Sequence, residues 1–510
     1  MLSRCCRTPQ LIFCVEGSLD IKSRLPQTSS LPEDTTGKNV AGVIEDFPDR
    51  ARLEKKLLRK VDMRMSILIV IYILNYIDRN NLSAARTKGL EADLGLKGQE
   101  YPTLLSILYV GYILMQIPSN MFVQATGRPS YFLPTCIALW GTISILTGIT
   151  HNFIGALLTR FFLGFVEAAF FPGAIFMLSK WYKKSELGVR TAILYCGSLI
   201  SNALGPLMAA GILSGMEGKL GHKGWVWLFF IEGALTVFVA VIAFFILPDF
   251  PHNSRGFTEE ERALAQLRMK EDSGRPDGEG GSSIEGLKLA FTDYKVWVMA
   301  LSLTAMVVGL SFNQFFPSLT QTLGYNSTIS LLLCAPPFFF TTICAFFVAR
   351  HSDKLQERYL HIVIPLLLGV VGFVIAMATE NTAARYVSMF LMAQSYSGFV
   401  VFYAWISASF PNPPMKRAIA IALINAFSQL GNISGAYIYP SAWGKSYLKS
   451  FGISIACFGA CIFGLTFHRY TLHKLNQRIE ANEAIAEEDR PAGQVIPHEI
   501  DVPRGFRYIL

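Results

Sequence analysis

From Met65 to Phe467 long apolar runs alternate with short polar breaks. Each run holds about twenty mostly apolar residues, enough for a helix to cross about 30 Å of hydrocarbon. Spans are expected near 65–83, 103–123, 131–149, 153–178, 189–213, 225–247, 296–316, 328–349, 360–378, 385–409, 417–439 and 448–468. The expected fold class is an all-α membrane protein with twelve transmembrane helices in two six-helix bundles.

Two hydrophilic stretches frame this pattern. Residues 1–60 are polar and rich in Pro and Ser before turning basic at Arg52, Lys55, Lys56, Arg59 and Lys60, which reads as a disordered cytosolic tail ending in a juxtamembrane helix. The apolar patch at 11–15 is too short for a secretory signal core. Residues 251–294, with the charged stretch TEEERALAQLRMKED and the loop SGRPDGEGGSS, read as a cytosolic linker and hinge. The expected organisation is therefore a tail at 1–60, one bundle at 61–250, the linker at 251–294, a second bundle at 295–470 and a cytosolic tail at 471–510.

Charge sets the orientation. With both ends in the cytosol, the inner loops hold Arg128, Lys180, Lys183, Lys184, Arg190, Arg350, Lys354, Arg358, Lys416 and Arg417. The outer loops still hold Arg86, Lys88, Lys97, Lys219, Lys223, Lys445 and Lys449, so this orientation rests partly on the basic flanks and the even number of spans. The net charge of +8 then reflects topology and contact with anionic lipid, not nucleic-acid binding. Nine cysteines and eight histidines show no paired-ligand spacing, so no metal or cofactor is expected. No nucleophile with an acid–base partner suggests an enzyme.

Charged residues make up 16% of the chain against about a quarter in soluble domains, so those inside apolar spans stand out. Asp78 and Arg79 end one apolar run, and Arg160 and Glu167 lie within another. Seven residues apart, Arg160 and Glu167 project from one helix face. A charge at bilayer depth costs about 2.5–3.5 kcal/mol on insertion scales, so such groups usually face a polar pathway. This pattern points to transport. Tyr109, Asn313, Gln314, Tyr403, Asn425 and Gln429 are further polar groups in apolar spans, able either to line a cavity or to hydrogen-bond between helices. Glu232, near the end of its helix, reads equally as interfacial and is assigned no role.

The loops after the second span of each half look related: NMFVQATGRPSYFLP at 120–134 and ARHSDKLQERYLHIVIP at 349–365. Duplication of this kind marks parallel-repeat transporters. Here the chain resembles the major facilitator superfamily, and Asp353 with Arg358 is similar to its cytoplasmic gating loop. Arg128 is the first-half counterpart, but no acidic residue lies between Asn120 and Arg128. NYIDRNNLSAAR, YVGYILMQIPSN, RFFLGFVEAAFFPG, WVWLFFIEG and KRAIAIALINAFSQLGNISG together resemble the anion:cation symporter family, closest to its fungal allantoate and nicotinate permease branch.

That resemblance implies proton-coupled uptake of a small organic anion, a carboxylate such as nicotinate, allantoate or pantothenate. It also implies alternating access, a plasma-membrane address and a monomer. The rival reading is efflux of an acidic metabolite. Asp78 and Glu167 resemble the proton-coupling acids, since a carboxylate facing a cavity beside a low-dielectric wall can load and release a proton. Arg79 is placed to meet a substrate carboxylate as a bidentate donor, and Arg160 to partner Glu167 and engage the anion when Glu167 is protonated. The plainer alternatives are an Asp78–Arg79 pair and a permanent Arg160–Glu167 pair. Asn326-Ser327-Thr328 is a glycosylation sequon expected to lie too close to the membrane for use.

Overall fold

The computed structural model describes residues 50–273, 283–410, 414–444, 446–488 and 506–510, and the regular structure among them is entirely helical. In chain order the helices are α1 (Arg50–Arg86), α2 (Leu90–Asp93), α3 (Glu100–Thr126), α4 (Pro129–Gly148), α5 (Phe153–Glu167), α6 (Phe170–Trp181), α7 (Lys184–Gly215) and α8 (Gly224–Ile246). There follow α9 (Glu259–Ser273), α10 (Ser283–Thr292), α11 (Tyr294–Leu310), α12 (Phe316–Gln321), α13 (Ser327–Leu355), α14 (Tyr359–Ala378), α15 (Thr382–Ser409), α16 (Pro414–Gly435) and α17 (Leu448–Glu488). Among the described residues ten helical stretches are long and apolar enough to cross a membrane. The expected spans at 65–83 and 103–123 lie in α1 and α3, outside those ten. Polar residues such as Asn75, Asp78, Arg79, Asn80 and Asn81 dilute the apolar run of α1.

Local chemistry sets the helix ends. Asn152, Asn326 and Asn381 each cap a helix by accepting a backbone N–H three residues on, at 2.8, 2.9 and 3.1 Å. The sequon residue Asn326 thus uses its side-chain oxygen as an N-cap. The expected span 153–178 runs as one membrane-length stretch, Phe153–Trp181, with a two-residue turn at Ala168-Ala169 between α5 and α6. Pro172 has no N–H to return to the Ala168 carbonyl, which accepts from Ser119 Oγ at 3.5 Å instead. Similarly, a 3-10 turn at Ser311–Phe315 precedes Pro317 and joins α11 to α12 within one membrane-length stretch.

Helices pack through glycine. α3 lies against α5 where a Cβ on Gly164 would run into the Leu108 carbonyl, and one on Gly111 into the Phe161 carbonyl. α4 and α8 meet through Gly141 and Gly233. In the second half α14 packs on α15, and α11 on α16 and α17. The halves meet where α7 lies along α13 and α3 along α16. Phe245, Leu301, Phe339 and Phe463 are exposed at 81%, 66%, 65% and 76%, a surface suited to lipid tails and not to water.

Parts of the polar stretches form helices. The basic flank at 52–60 forms the opening turns of α1, while residues 1–49 of the expected tail lie outside the described residues. In the linker, α9 docks on the first half. Arg268, 1% exposed, pairs with Glu186 at 2.5 Å and Glu54 at 3.5 Å, and Phe257 packs on Trp181 with ring centroids 4.8 Å apart. Lys60 pairs with Glu261 at 2.6 Å. α17 continues to Glu488, well beyond the apolar run.

Candidate functional site

Between the two halves lies a partly open cavity lined by side chains from both. α1 contributes Tyr72, Tyr76, Arg79 and Asn80; α3 contributes Tyr109 and Tyr112; and α7 contributes Tyr195 and Asn202. From the second half come Asn313 and Gln314 on the 3-10 turn, Tyr396 and Tyr403 on α15, and Asn425, Gln429 and Asn432 on α16. Of the residues expected from sequence to meet a substrate, the cavity brings together Arg79, Tyr109, Asn313, Gln314, Tyr403, Asn425 and Gln429.

Arg160 is the exception. It is 2% exposed and lies outside the cavity wall, donating from Nη1 to the Asp78 carbonyl at 3.4 Å and from Nη2 to the Arg79 carbonyl at 3.2 Å. The expected Arg160–Glu167 pair is replaced by Glu167 Oε1 with Arg79 Nε at 2.6 Å. Geometry explains the exchange. Seven residues set Arg160 and Glu167 about 10 Å apart along one helix face, and both turn to α1 instead of each other, Arg160 to backbone carbonyls and Glu167 to the Arg79 side chain. Arg79 faces the cavity with Tyr112, Tyr76 and Tyr109 ring centroids 4.9, 5.1 and 5.9 Å from its guanidinium carbon.

Asp78 takes the opposite direction. One residue along a helix turns the side chain by about 100°, and Asp78 enters the interior of the first half instead of the cavity. Its carboxylate accepts from Ser144 Oγ at 3.2 Å, Thr236 Oγ1 at 3.1 Å and Asn81 Nδ2 at 3.5 Å. It is therefore neither the partner of Arg79 nor cavity-facing.

Amides cross the cavity from half to half. Asn202 Oδ1 accepts from Asn80 Nδ2 at 2.8 Å and from Asn313 Nδ2 at 3.2 Å. Asn425 Oδ1 accepts from Tyr403 OH at 3.0 Å, and Gln429 Oε1 from Asn432 Nδ2 at 3.0 Å. Gln314 Oε1 is buried with no hydrogen-bond partner. Sequence reasoning missed Tyr72, Tyr76, Asn80, Tyr112, Tyr195, Asn202, Tyr396 and Asn432. Several could have been found by helical spacing: Tyr112 lies three residues after Tyr109, Asn432 three after Gln429, and Tyr76 three before Arg79.

In the loop between α13 and α14, Arg358 Nη1 reaches Asp353 Oδ1 at 2.6 Å and Ser352 Oγ at 2.9 Å. The chain end packs here: Arg358 N donates to the Leu510 carbonyl at 2.7 Å, Trp405 Nε1 to the Ile509 carbonyl at 2.9 Å, and Tyr508 exchanges two hydrogen bonds with Asn476. Arg128 is exposed at the start of α4. Asp249, from beyond α8, accepts from Ser130 N in the first turn of α4 at 3.1 Å. Among the described residues no cluster of His, Cys, Asp and Glu is suited to hold a metal ion.

Apolar helices in two packed halves around a polar central cavity define a membrane transporter. Residues 68–436 match the sequence profile of the Major Facilitator Superfamily, and the chain belongs to that family. It is similar to MFS-type transporter cnsO of Penicillium expansum, at 33% identity over 83% of this chain and 84% of the relative. It is also similar to major facilitator-type transporter hxnP of Emericella nidulans, at 30% identity over 83% and 87%. Among solved structures it shares its fold with a bacterial homologue of the human lysosomal transporter Spinster in an inward-facing, occupied conformation, with TM-score 0.60 and 17% identity over 80% of this chain and 95% of that one. A D-xylose–proton symporter matches at TM-score 0.60 and 14% identity, over 79% and 97%.

Proposed function

We propose that the protein is a proton-coupled importer of a small organic carboxylate in the plasma membrane, of the anion:cation symporter type, with both chain ends cytosolic. The observation that carries this reading is the Arg79–Glu167 pair, in which the cavity's cation is bonded to a buried acid that is absent from the cavity wall. Protonation of Glu167 releases Arg79 toward the cavity, where its planar fork can take a carboxylate in two hydrogen bonds. Deprotonation restores the pair and expels the anion. Binding of proton and anion is thereby linked, and two halves rocking about a midplane site carry both across. Tyr109, Asn313, Gln314, Tyr403, Asn425 and Gln429 hydrogen-bond the rest of the substrate. Arg160 holds α1 in place through its carbonyls, and Asp78 is a second proton-loading acid behind the cavity. The Asp353–Arg358 pair serves the cytoplasmic gate, with Arg128 as its exposed counterpart.

The test is uptake of a panel of labelled carboxylic acids into cells making the protein, at acidic and near-neutral external pH, with and without a protonophore. Acid-stimulated, protonophore-sensitive accumulation of one compound supports the reading. Faster loss of an acid from preloaded cells, without uptake, replaces it with efflux. In the Glu167→Gln and Asp78→Asn variants, substrate exchange persists and gradient-driven accumulation is lost; full accumulation in both removes proton coupling.

A further inference from the structure

We propose that Tyr195 and Tyr403 form the gate that closes the substrate cavity on the side away from Thr87. Helix geometry places this gate, and naming its side cytosolic rests on the orientation proposed above.

Tyr195 on α7 and Tyr403 on α15 come from opposite halves, and their rings meet with centroids 5.4 Å apart and planes tilted by 34°. Both line the cavity. Their depth can be read from each wall. Asn202, which accepts from Asn80 beside Arg79 and from Asn313 of the other half, marks the level of Arg79. Tyr195 lies seven residues before Asn202 on α7. Tyr72, with its ring centroid 6.5 Å from that of Tyr195, lies seven before Arg79 on α1, so α1 and α7 run in the same direction, toward the Thr87 end. In the second half, Tyr396 donates to the Leu310 carbonyl, next to the turn that carries Asn313, and Tyr403 follows it by seven residues on α15. α13 begins at the Thr87 end, where Ser327 donates to the Thr87 carbonyl; α14 returns to that end and α15 leaves it. Seven residues of helix span about 10 Å, so both rings stand about that far from the level of Arg79 and Asn313, on the side away from Thr87.

The two closures of the cavity differ in kind. At the Thr87 end, Ser327 and Gln321 hydrogen-bond across the halves. On the opposite side each ring is held within its own half. Tyr195 packs edge-on against Phe171 at 5.1 Å; Tyr403 packs edge-on against Phe399 at 5.1 Å and donates its hydroxyl to Asn425. Parting the halves there separates the ring pair and leaves the Tyr403–Asn425 bond intact. An aromatic pair contributes about as much as one ordinary hydrogen bond, enough to bias a gate shut and too little to lock it. Each tyrosine then leaves with the aromatic cluster of its own half, and the path from Arg79 to that side opens.

Access of a membrane-impermeant maleimide to the cavity tests the gate without a substrate. The reporter is Ser198→Cys in the full-length protein with Cys196 changed to Ala, since Ser198 lines the cavity nearly one turn from Tyr195 toward Asn202. Labelling is compared in inside-out and right-side-out membrane vesicles, with the protein lacking the reporter as background. Tyr195→Ala and Tyr403→Ala each speed labelling in inside-out vesicles by roughly three- to tenfold, the worth of one aromatic pair, and leave right-side-out labelling unchanged. Tyr195→Phe keeps the ring and labels like the wild type. The double alanine variant is no faster than the faster single one, because either missing ring already opens the gate. Thermal unfolding checks that each variant is folded, and because the two tyrosines lie on different halves, either one alone still tests the gate. Wild-type rates in the folded alanine variants overturn the proposal. Acceleration from both sides, multiplied effects in the double variant, or a Tyr195→Phe as fast as Tyr195→Ala also overturn it. Faster labelling confined to right-side-out vesicles keeps the gate and overturns the cytosolic orientation.

Discussion

At Arg79 one guanidinium meets two environments, a buried carboxylate behind it and a tyrosine-lined cavity in front. Its fork geometry matters as much as its charge, because a bidentate contact with a carboxylate needs two parallel N–H groups. Replacing Arg79 by Lys keeps the charge and removes the fork. For the carboxylate uptake proposed above, the expected result is a roughly ten- to hundredfold rise in KM, corresponding to about 1.4–2.7 kcal/mol, measured as initial uptake rates across concentration. The charged residues were legible in the sequence, because ionisable groups in apolar runs are rare and point to function. Their partners were not. Spacing along α5 showed that Arg160 and Glu167 share a face, but how α1 is rotated against that face decided that Glu167 meets Arg79 and that Asp78 turns toward α4 and α8. Glu232 was passed over because its sequence position near a helix end suggests the interface, whereas its burial depends on α1 and α4 closing over it.

Among the elements, α9 shows how a hydrophilic stretch becomes part of the structure. Its composition reads as a solvated helix, yet Arg268 is buried between Glu186 and Glu54. Replacing Arg268 by Met removes the cation shared by these carboxylates, at a cost on the order of 2 kcal/mol, less than for a fully buried pair because both glutamates still reach water and Glu186 keeps its bond from Lys183 N. A lower thermal unfolding temperature in nanodiscs checks this. A second tie joins α1 to α7 through Asp62, which accepts from Arg190 Nε at 2.7 Å and from Tyr182 OH at 2.7 Å. Burial acts to raise the Asp62 pKa, but the hydrogen bonds from Arg190 and Tyr182 outweigh it and hold the carboxyl below its ordinary value. A carboxyl depressed on folding contributes stability that is complete above about pH 4 and fades as pH falls through the depressed value. Unfolding temperature followed against pH should show this acid-side loss in the wild type and less of it in Asp62→Asn. Ten of the twelve expected spans coincide with long apolar helices among the described residues, and those in α1 and α3 do not. The turn at Ala168-Ala169 had a visible cause in Pro172, but whether proline bends a helix or interrupts it depends on what receives the freed carbonyl, here Ser119.

Across the whole molecule, hydrogen bonds seal the two halves at the end bearing Thr87. Ser327 Oγ and Gln321 Nε2 donate to the Thr87 carbonyl at 2.8 and 3.3 Å, and Tyr437 OH lies 3.0 Å from Thr103 Oγ1 and 3.3 Å from Ser106 Oγ. Removing the hydroxyls with Ser327→Ala and Tyr437→Phe should weaken the seal by about 2 kcal/mol, shifting the open-to-closed ratio roughly thirtyfold. The check is faster labelling of Ser83→Cys by a membrane-impermeant maleimide, in a background with Cys334 changed to Ala. Sequence pattern had suggested two related halves, because repeated loops leave a linear trace. Which tyrosine or amide faces which across the cavity leaves none, since their meeting depends on how the halves close together. The close approach of α3 and α5 at Gly164 has a consequence for descent. A lineage can trade Asn313, Asn425 or Gln429 for other side chains and so explore new cargo, because these residues border empty space. Position 164 has no such freedom: any side chain must displace the Leu108 carbonyl and with it the helix carrying Tyr109 and Tyr112. Diversification of this lineage should therefore proceed through the cavity wall while Gly164 stays fixed.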